Sequence, residues 1–241
     1  MDLQGRVALV TGGAHRVGRA LALALAREGA DVAIHYHSAG DDAARTAADI
    51  RALGRRTTTV RADLRDPEAT RSLPARARDG LGRVDVLVNS AALFEAKAFL
   101  DVTVEDWDRV MAVNVRAPFL LLQATAPLLR ESKGVAVNIA DVSGLRPWSA
   151  FPHHSVSKAA LIHLTKVAAR SLAPVRVNCI VPGTVLPPED YTAEQRDEGA
   201  ERTVLGRLGS PADVVEALLF LVRSEFATGS VVVVDGGRML K

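Results

Sequence analysis

The strongest constraint on this chain is a two-beat rhythm kept from end to end. Short runs rich in Val and Ile, namely RVALVT (6–11), DVAIHY (31–36), TTTVRA (57–62), VDVLVN (84–89), GVAVNIA (134–140), VRVNCI (175–180) and SVVVVD (230–235), read as seven strands. Their hydrophobicity is nearly continuous rather than alternating, as expected of parallel strands covered on both faces. Between them lie stretches with helical periodicity, such as VGRALALALAREG (17–29), PEATRSLPARARDG (67–80) and SVSKAALIHLTKVAARSLA (155–173). Strand-helix alternation repeated this often predicts an α/β fold with a doubly wound, Rossmann-like, seven-stranded parallel sheet. Right-handed crossovers put helices on both faces. No linker, repeat or low-complexity run interrupts the pattern, so residues 1–241 are expected to form one domain. The stretch from Pro182 to Arg202 is polar and proline-bearing, and it reads as a long loop of the kind that serves as a lid.

Composition narrows the function. At 241 residues the chain is long enough for a sizeable core, and Lys+Arg exceed Asp+Glu by only two (30 against 28), spread over helices and loops. That balance argues against a nucleic-acid surface, and the densest basic run, RALGRRTTTVR (51–61), reads as a solvated face. The opening MDLQGRVALV lacks the apolar region of a signal peptide, and apolar runs such as VVEALLFLV (214–222) fall short of a membrane span. Cys179 is the single cysteine, which excludes an internal disulfide and a cysteine metal cluster. His35 and His37 share a strand face with no carboxylate near in sequence, so no metal site is expected. A cytoplasmic protein acting on a small molecule, with no nucleic-acid or membrane partner, is the expectation.

The segment TGGAHRVG (11–18) follows the first strand and opens the first helix. In such a fold, ligands bind beyond the carboxyl ends of the strands, and a helix N-terminus offers free N–H groups and a positive dipole end to a pyrophosphate. Gly12 and Gly18 permit the tight turn and close backbone approach. After it come Asp63-Leu64, NSAA (89–92), MAVN (111–114), Ser157-Lys158 and VPG (181–183), in that order. Across essentially the whole chain this series resembles the short-chain dehydrogenase/reductase family. Arg16, where most of the family has a glycine, and the HYHS end of strand two (35–38) are similar to the pteridine reductase branch.

The residues and the resemblance together suggest a cofactor. NAD-selective sites end strand two with a carboxylate that accepts from the ribose hydroxyls. Here that place holds His37 and Ser38, with the first acids at Asp41 and Asp42, so a 2′-phosphate is not repelled and Arg16, His37 and Ser38 favour it. NADP(H) is therefore expected over NAD(H), Arg16 as a plain surface residue being the alternative. The resemblance implies that Val17 belongs to the phosphate loop, that Asp63 and Leu64 hold the adenine, and that Asn89, Ser90, Ala91, Lys158, Pro182 and Gly183 line the cofactor. Asn89 also admits a purely structural role. A homotetramer or homodimer, packed through the helices carrying Asn114 and Lys158, is likewise implied.

The stretch FPHHSVSKAAL (151–161) carries the departure from the family. The family places a tyrosine four residues before the lysine, and here that position is His154. His154 and Lys158 lie on one helical face. The resemblance assigns Asp141 to the place of a carbonyl-polarising serine, as in pteridine reductases, and Asn114 to a water relay toward the lysine. It makes Phe94 a stacking wall for a flat bicyclic substrate, with Trp148 as a second wall residue; a core-wall role for Phe94 is the alternative. Neutral imidazole is a very poor acid, so donation needs the imidazolium, whose ordinary pKa is about 6.5. Asp141 would raise that value and Lys158 would lower it, each by roughly 4 kcal/mol at ~4 Å and an effective dielectric of ~20, and the sequence leaves the contest open. Three readings stand: an NADPH-dependent reductase of a pteridine-like C=N or a carbonyl, with His154 and Asp141 as an acid pair and an acidic pH optimum; an NADP(H)-binding sensor or partner protein with impaired chemistry; or a histidine introduced into the sequence.

Overall fold

Seven parallel strands in the order β3-β2-β1-β4-β5-β6-β7 form the centre of the computed structural model, which describes residues 1–187 and 191–241. They are β1 (Val7–Thr11), β2 (Asp31–Tyr36), β3 (Thr57–Arg61), β4 (Val86–Asn89), β5 (Val135–Ile139), β6 (Arg176–Pro182) and β7 (Val231–Val234). Each sequence-predicted strand is present within two residues at either end. β1, β4, β5 and β6 are buried along their whole length, which is why they read as unbroken Val/Ile/Leu runs. The strand order turns back between β1 and β4, and a crevice opens beyond their carboxyl ends.

Helices cover both faces. α1 (Arg16–Arg27), α2 (Gly40–Ala52) and α8 (Pro211–Arg223) bury Leu21, Leu25, Ile50, Leu218 and Leu221 against one face. α3 (Pro67–Leu81) and α5 (Ala117–Ser132) bury Leu73, Leu81, Leu121 and Leu129 against the other. α4 (Val104–Met111) runs through a π-helical turn, Ala112–Arg116, into α5. That continuous run, Val104–Ser132, corrects the expectation that every apolar stretch is too short for a bilayer. It is long and apolar enough to span one, yet 61% of its most apolar window is buried within the protein, as in a core helix.

The stretch from Pro182 to Arg202 departs from the expected loop. α7 (Ala193–Glu201) occupies its second half, started by a reciprocal cap in which Thr192 Oγ1 accepts from the Gln195 N–H and Gln195 Oε1 accepts from the Thr192 N–H. Thr-Ala-Glu-Gln is the matching sequence signature, masked by the polar composition around it. Pro188, Glu189 and Asp190 of the expected lid lie outside the described residues.

Candidate active site

A cleft of about 460 Å³ runs along the carboxyl ends of β1, β2 and β4. It is lined by Gly12, Arg16, Val17, Gly18, His37, Ser38, Asp63, Leu64, Ser90 and Ala91, so the structure gathers most of the residues expected at a cofactor. Asn89 lies beneath the cleft, where its Nδ2 donates to Asn138 Oδ1 at 2.8 Å. That bond supports its structural role. Pro182 closes β6, and Gly183 lets the ends of β6 and β7 approach, since a Cβ there would stand 2.9 Å from Asp235 Cα.

The phosphate loop is built by close contact. Gly12 takes φ +63°, and a Cβ on it would lie 3.0 Å from Ala91 Cα. A Cβ on Gly18 would sit 2.1 Å from the Gly12 carbonyl oxygen. Arg16 holds φ +51°, a left-handed conformation costing a non-glycine residue roughly 1–2 kcal/mol. The backbone thus keeps a glycine-like shape where the sequence has arginine. The guanidinium donates to the Leu186 carbonyl at 2.9 Å, spanning from the phosphate loop to the segment after β6. α1 has no side-chain cap and no acid in its first turn, so its N–H groups and dipole face the cleft without a competing anion.

His35 belongs to this loop, although the sequence reading took it only as a strand mate of His37. Its Nδ1 accepts from the Gly12 N–H at 3.2 Å and its Nε2 lies 3.2 Å from the Ala62 carbonyl, which only accepts. The ring is therefore neutral with the proton on Nε2. Burial holds its pKa down, at about 4. Thr11 Oγ1 accepts from the Ser90 and Ala91 N–H groups at 3.0 and 3.2 Å, binding β1 to the segment after β4. At the adenine end, Arg65 grips both oxygens of Asp63 at 2.7–3.0 Å and holds that carboxyl at about 2, so it is ionised in ordinary buffers. No carboxylate lies at the end of β2; the cleft wall there is Tyr36, His37, Ser38 and Ala39.

α6 (Pro152–Ser171) carries His154 and Lys158, both buried. His154 Nδ1 stands 3.0 Å from the Leu93 carbonyl. Because a carbonyl only accepts, Nδ1 holds the proton and the Nε2 lone pair is left without a partner, out of contact with solvent. Lys158 Nζ donates to the Ile139 carbonyl at 2.9 Å, and burial lowers its pKa. Asn114 does not reach Lys158. Its Oδ1 accepts from the Leu93 N–H at 2.8 Å, while its Nδ2 donates to the Leu93 carbonyl and to Ser157 Oγ, each at 3.0 Å. Ser157 Oγ donates in turn to the His154 carbonyl at 2.7 Å. Leu93 and Ser157 thus join Asn114, which lies in the π-helical turn Ala112–Arg116, to His154.

The expected acid pair is corrected here. Asp141 accepts from the Ser143 N–H at 2.7 Å and makes no hydrogen bond to His154. Burial, the larger cause, and Lys158 together push His154 down to about 4, against the Leu93 carbonyl and Asp141. The contest between Lys158 and Asp141 is thus decided by desolvation, which was not visible in the spacing. The ring is therefore neutral at ordinary pH with a free Nε2 lone pair, placed to accept a proton in one direction of a reaction and to return it in the other.

Aromatic rings wall this end. Phe94 meets His154 edge-on at 4.7 Å, stacks on Phe151 at 4.2 Å and meets Trp148 at 6.4 Å. One face of Phe94 is therefore already covered. Phe94 is 55% exposed, so its other face is open.

Comparison with known proteins agrees with this geometry. Residues 12–238 match the family model described as enoyl-(acyl carrier protein) reductase. L-rhamnose 1-dehydrogenase (NAD(P)(+)) of Sphingomonas sp. strain SKA58 is 35% identical, over 98% of this chain and 96% of that protein. A 3-oxoacyl-[acyl-carrier-protein] reductase of Thermotoga maritima is 31% identical over the full length of both. Among solved structures, a short-chain dehydrogenase from Burkholderia cenocepacia J2315, crystallised in complex with NADP, is 37% identical with a TM-score of 0.93, covering 99% of this chain and 100% of that one. Fold and cleft define a dinucleotide-type oxidoreductase. The chain belongs to the short-chain dehydrogenase/reductase family.

Proposed function

We propose that the protein is an NADP(H)-dependent oxidoreductase that interconverts a hydroxyl and a carbonyl on a small molecule, with His154 as the base in the oxidising direction. The observation that carries the reading is the buried, unpartnered Nε2 of a neutral His154, one helical turn from Lys158. The glycine cradle, the uncapped start of α1 and the acid-free end of β2 fit a dinucleotide with a 2′-phosphate, and a solved relative carries NADP. Gly12, Arg16, Gly18, His37 and Ser38 would hold its phosphates, and Asp63 with Leu64 its adenine. When bound, the nicotinamide supplies a hydride donor or acceptor. Asn114, through Leu93 and Ser157, fixes the His154 ring so that Nδ1 stays protonated. Nε2 then takes the hydroxyl proton of the substrate, and Lys158 stabilises the resulting charge on oxygen.

Reduction of a pteridine-like C=N is a second reading, supported by Phe94 and Asp141 beside His154, although Phe151 already covers one face of Phe94. NADPH and NADP⁺ binding and single-turnover rates, measured for this protein and for His154→Tyr from pH 5 to 8 with alcohols, diketones and dihydropteridines, separate the possibilities. Both proteins are expected to bind the cofactor, and the parent to oxidise an alcohol without an acidic optimum. Turnover by the tyrosine variant alone would overturn the base role and leave a binding protein; no cofactor binding by either would overturn the cofactor. His35→Leu should weaken NADPH binding by about fivefold at pH 7 in a fluorescence titration, since it removes one buried hydrogen bond to Gly12 worth about 1 kcal/mol. A homodimer or homotetramer is the proposed assembly, supported by Val104, Trp107, Phe119, Val156 and Val167 exposed on α4, α5 and α6, and sedimentation analysis tests it.

A further inference from the structure

We propose that Arg238 forms an anion subsite at the far end of the aromatic wall that starts at His154, and that the substrate is a flat apolar molecule bearing a carboxylate. The inference rests on the reading of His154 as the group that engages the reacting carbon's hydroxyl, and it assigns what lies at the other end.

Arg238 opens a short 3₁₀ turn, Arg238–Leu240, after β7. Its guanidinium lies over the Trp148 ring, 5.1 Å from the centroid. Trp148 meets Phe94 and Phe151 edge-on, at 6.4 and 6.0 Å, and Phe94 in turn meets His154. A continuous aromatic wall therefore runs from the cation to the base. Asp141 ties the two ends electrostatically, because its charge favours the protonated forms of His154, Lys158 and Arg238 alike.

The cation is underused. Among the described residues Arg238 donates one side-chain hydrogen bond, from Nη1 to Thr184 Oγ1 at 2.6 Å, and no carboxylate lies within 4 Å of it. Partial burial, the largest cause, works against its charge, Arg202 and Arg146 nearby add repulsion, and Asp141 acts in the opposite sense. Such a guanidinium gains from an anion that replaces the lost water. Its planar fork matches a carboxylate in two parallel hydrogen bonds, while the Trp148 face fixes the plane of the fork. A molecule that spans this wall puts an apolar body against Phe94, Phe151 and Trp148 and its carboxylate on Arg238. Arg238 is absent from the lining of the phosphate cleft, so the 2′-phosphate end is not its partner.

The sequence holds two tryptophans, so in a Trp107→Phe background the fluorescence of Trp148 reports this subsite directly. Benzoate and benzamide, alike in shape and different in charge, are titrated with and without saturating NADP⁺. Benzoate is expected to bind at least tenfold more tightly than benzamide. In Arg238→Gln that preference should fall to near parity, and Arg238→Lys, which keeps the charge without the fork, should lie between. NADPH titration of each variant checks that the fold and the cofactor cleft persist. Equal affinity for the two probes in the parent, or a preference that survives Arg238→Gln, overturns the subsite. Failure to bind NADPH instead removes the cofactor reading while leaving the benzoate comparison intact.

Discussion

His154→Phe should lower kcat/KM for alcohol oxidation by at least ~100-fold while leaving NADPH affinity within about twofold, because a positioned base contributes roughly 10²–10⁴ in rate. Phenylalanine keeps the edge-on contact with Phe94 and the apolar volume, and it removes both ring nitrogens. The pH profile separates a lost base from a disturbed helix. With the imidazole held at about 4, the parent stays neutral, hence competent, from pH 8 down to about 5. Its kcat/KM should be flat over that range and fall tenfold per unit of pH below about 4, measured by brief pH jumps in a stopped flow. The same limb should be absent in the residual activity of His154→Phe. A parent limb centred near 6.5 would mean that the ring is solvated in the working enzyme and that the tautomer assigned by Leu93 does not persist. Asn114→Ala offers a finer check. Loss of both Leu93 bonds and the Ser157 bond loosens the hold on the His154 ring, so kcat should fall with little change in KM.

The strands were legible because parallel strands covered on both faces demand near-continuous apolar runs, as in β1, β4, β5 and β6, while the edge strand β3 was legible from its β-branched Thr-Thr-Thr-Val. The phosphate loop was legible for a related reason. Gly12 and Gly18 are places where a Cβ would meet backbone, a constraint visible as sequence. Arg16 was half legible. Its departure from glycine is evident, but its left-handed φ and its bond to Leu186 appear only in three dimensions. The chemistry of His154 was the least legible. Helical spacing brings Lys158 near and resemblance brings Asp141 near, yet the deciding influences are burial and a carbonyl 61 residues away in sequence. His35 escaped for the same cause, since its partners, Gly12 and Ala62, come from two other segments. Alternation along β2 alone tells which side His35 faces, not that the loop hangs from it. α7 was missed through composition, because a capping box amid charged residues lacks the apolar stripe by which other helices announce themselves.

Two depressed histidines in this chain predict a fold that loses stability in acid, and the sign follows from proton counting. His35 and His154 both fall from an ordinary 6.5 to about 4 in the folded protein. Between those values the unfolded chain binds protons at both sites and the folded chain binds almost none, so stability decreases as pH drops from about 6.5 toward 4. Above 6.5 neither state is protonated there and this contribution is flat; below 4 both states are, and it is flat again. Unfolding at pH 5 should therefore take up close to two protons from these sites alone, with other carboxylates such as Asp63, held at about 2, adding uptake only at lower pH. Denaturant midpoints measured at half-unit steps from pH 8 to 4 should be level above 6.5 and then fall. His35→Leu with His154→Phe should flatten that window even if the double variant starts from a lower midpoint, since slope and intercept are independent readouts. A slope unchanged in the double variant would assign the acid sensitivity to other groups. The same charge that His154 must avoid to act as a base would also, at Nδ1 of His35, expel the Gly12 N–H from its acceptor. Acid should therefore loosen the phosphate loop and protonate the base within the same range of pH, so cofactor affinity and turnover are expected to fail together.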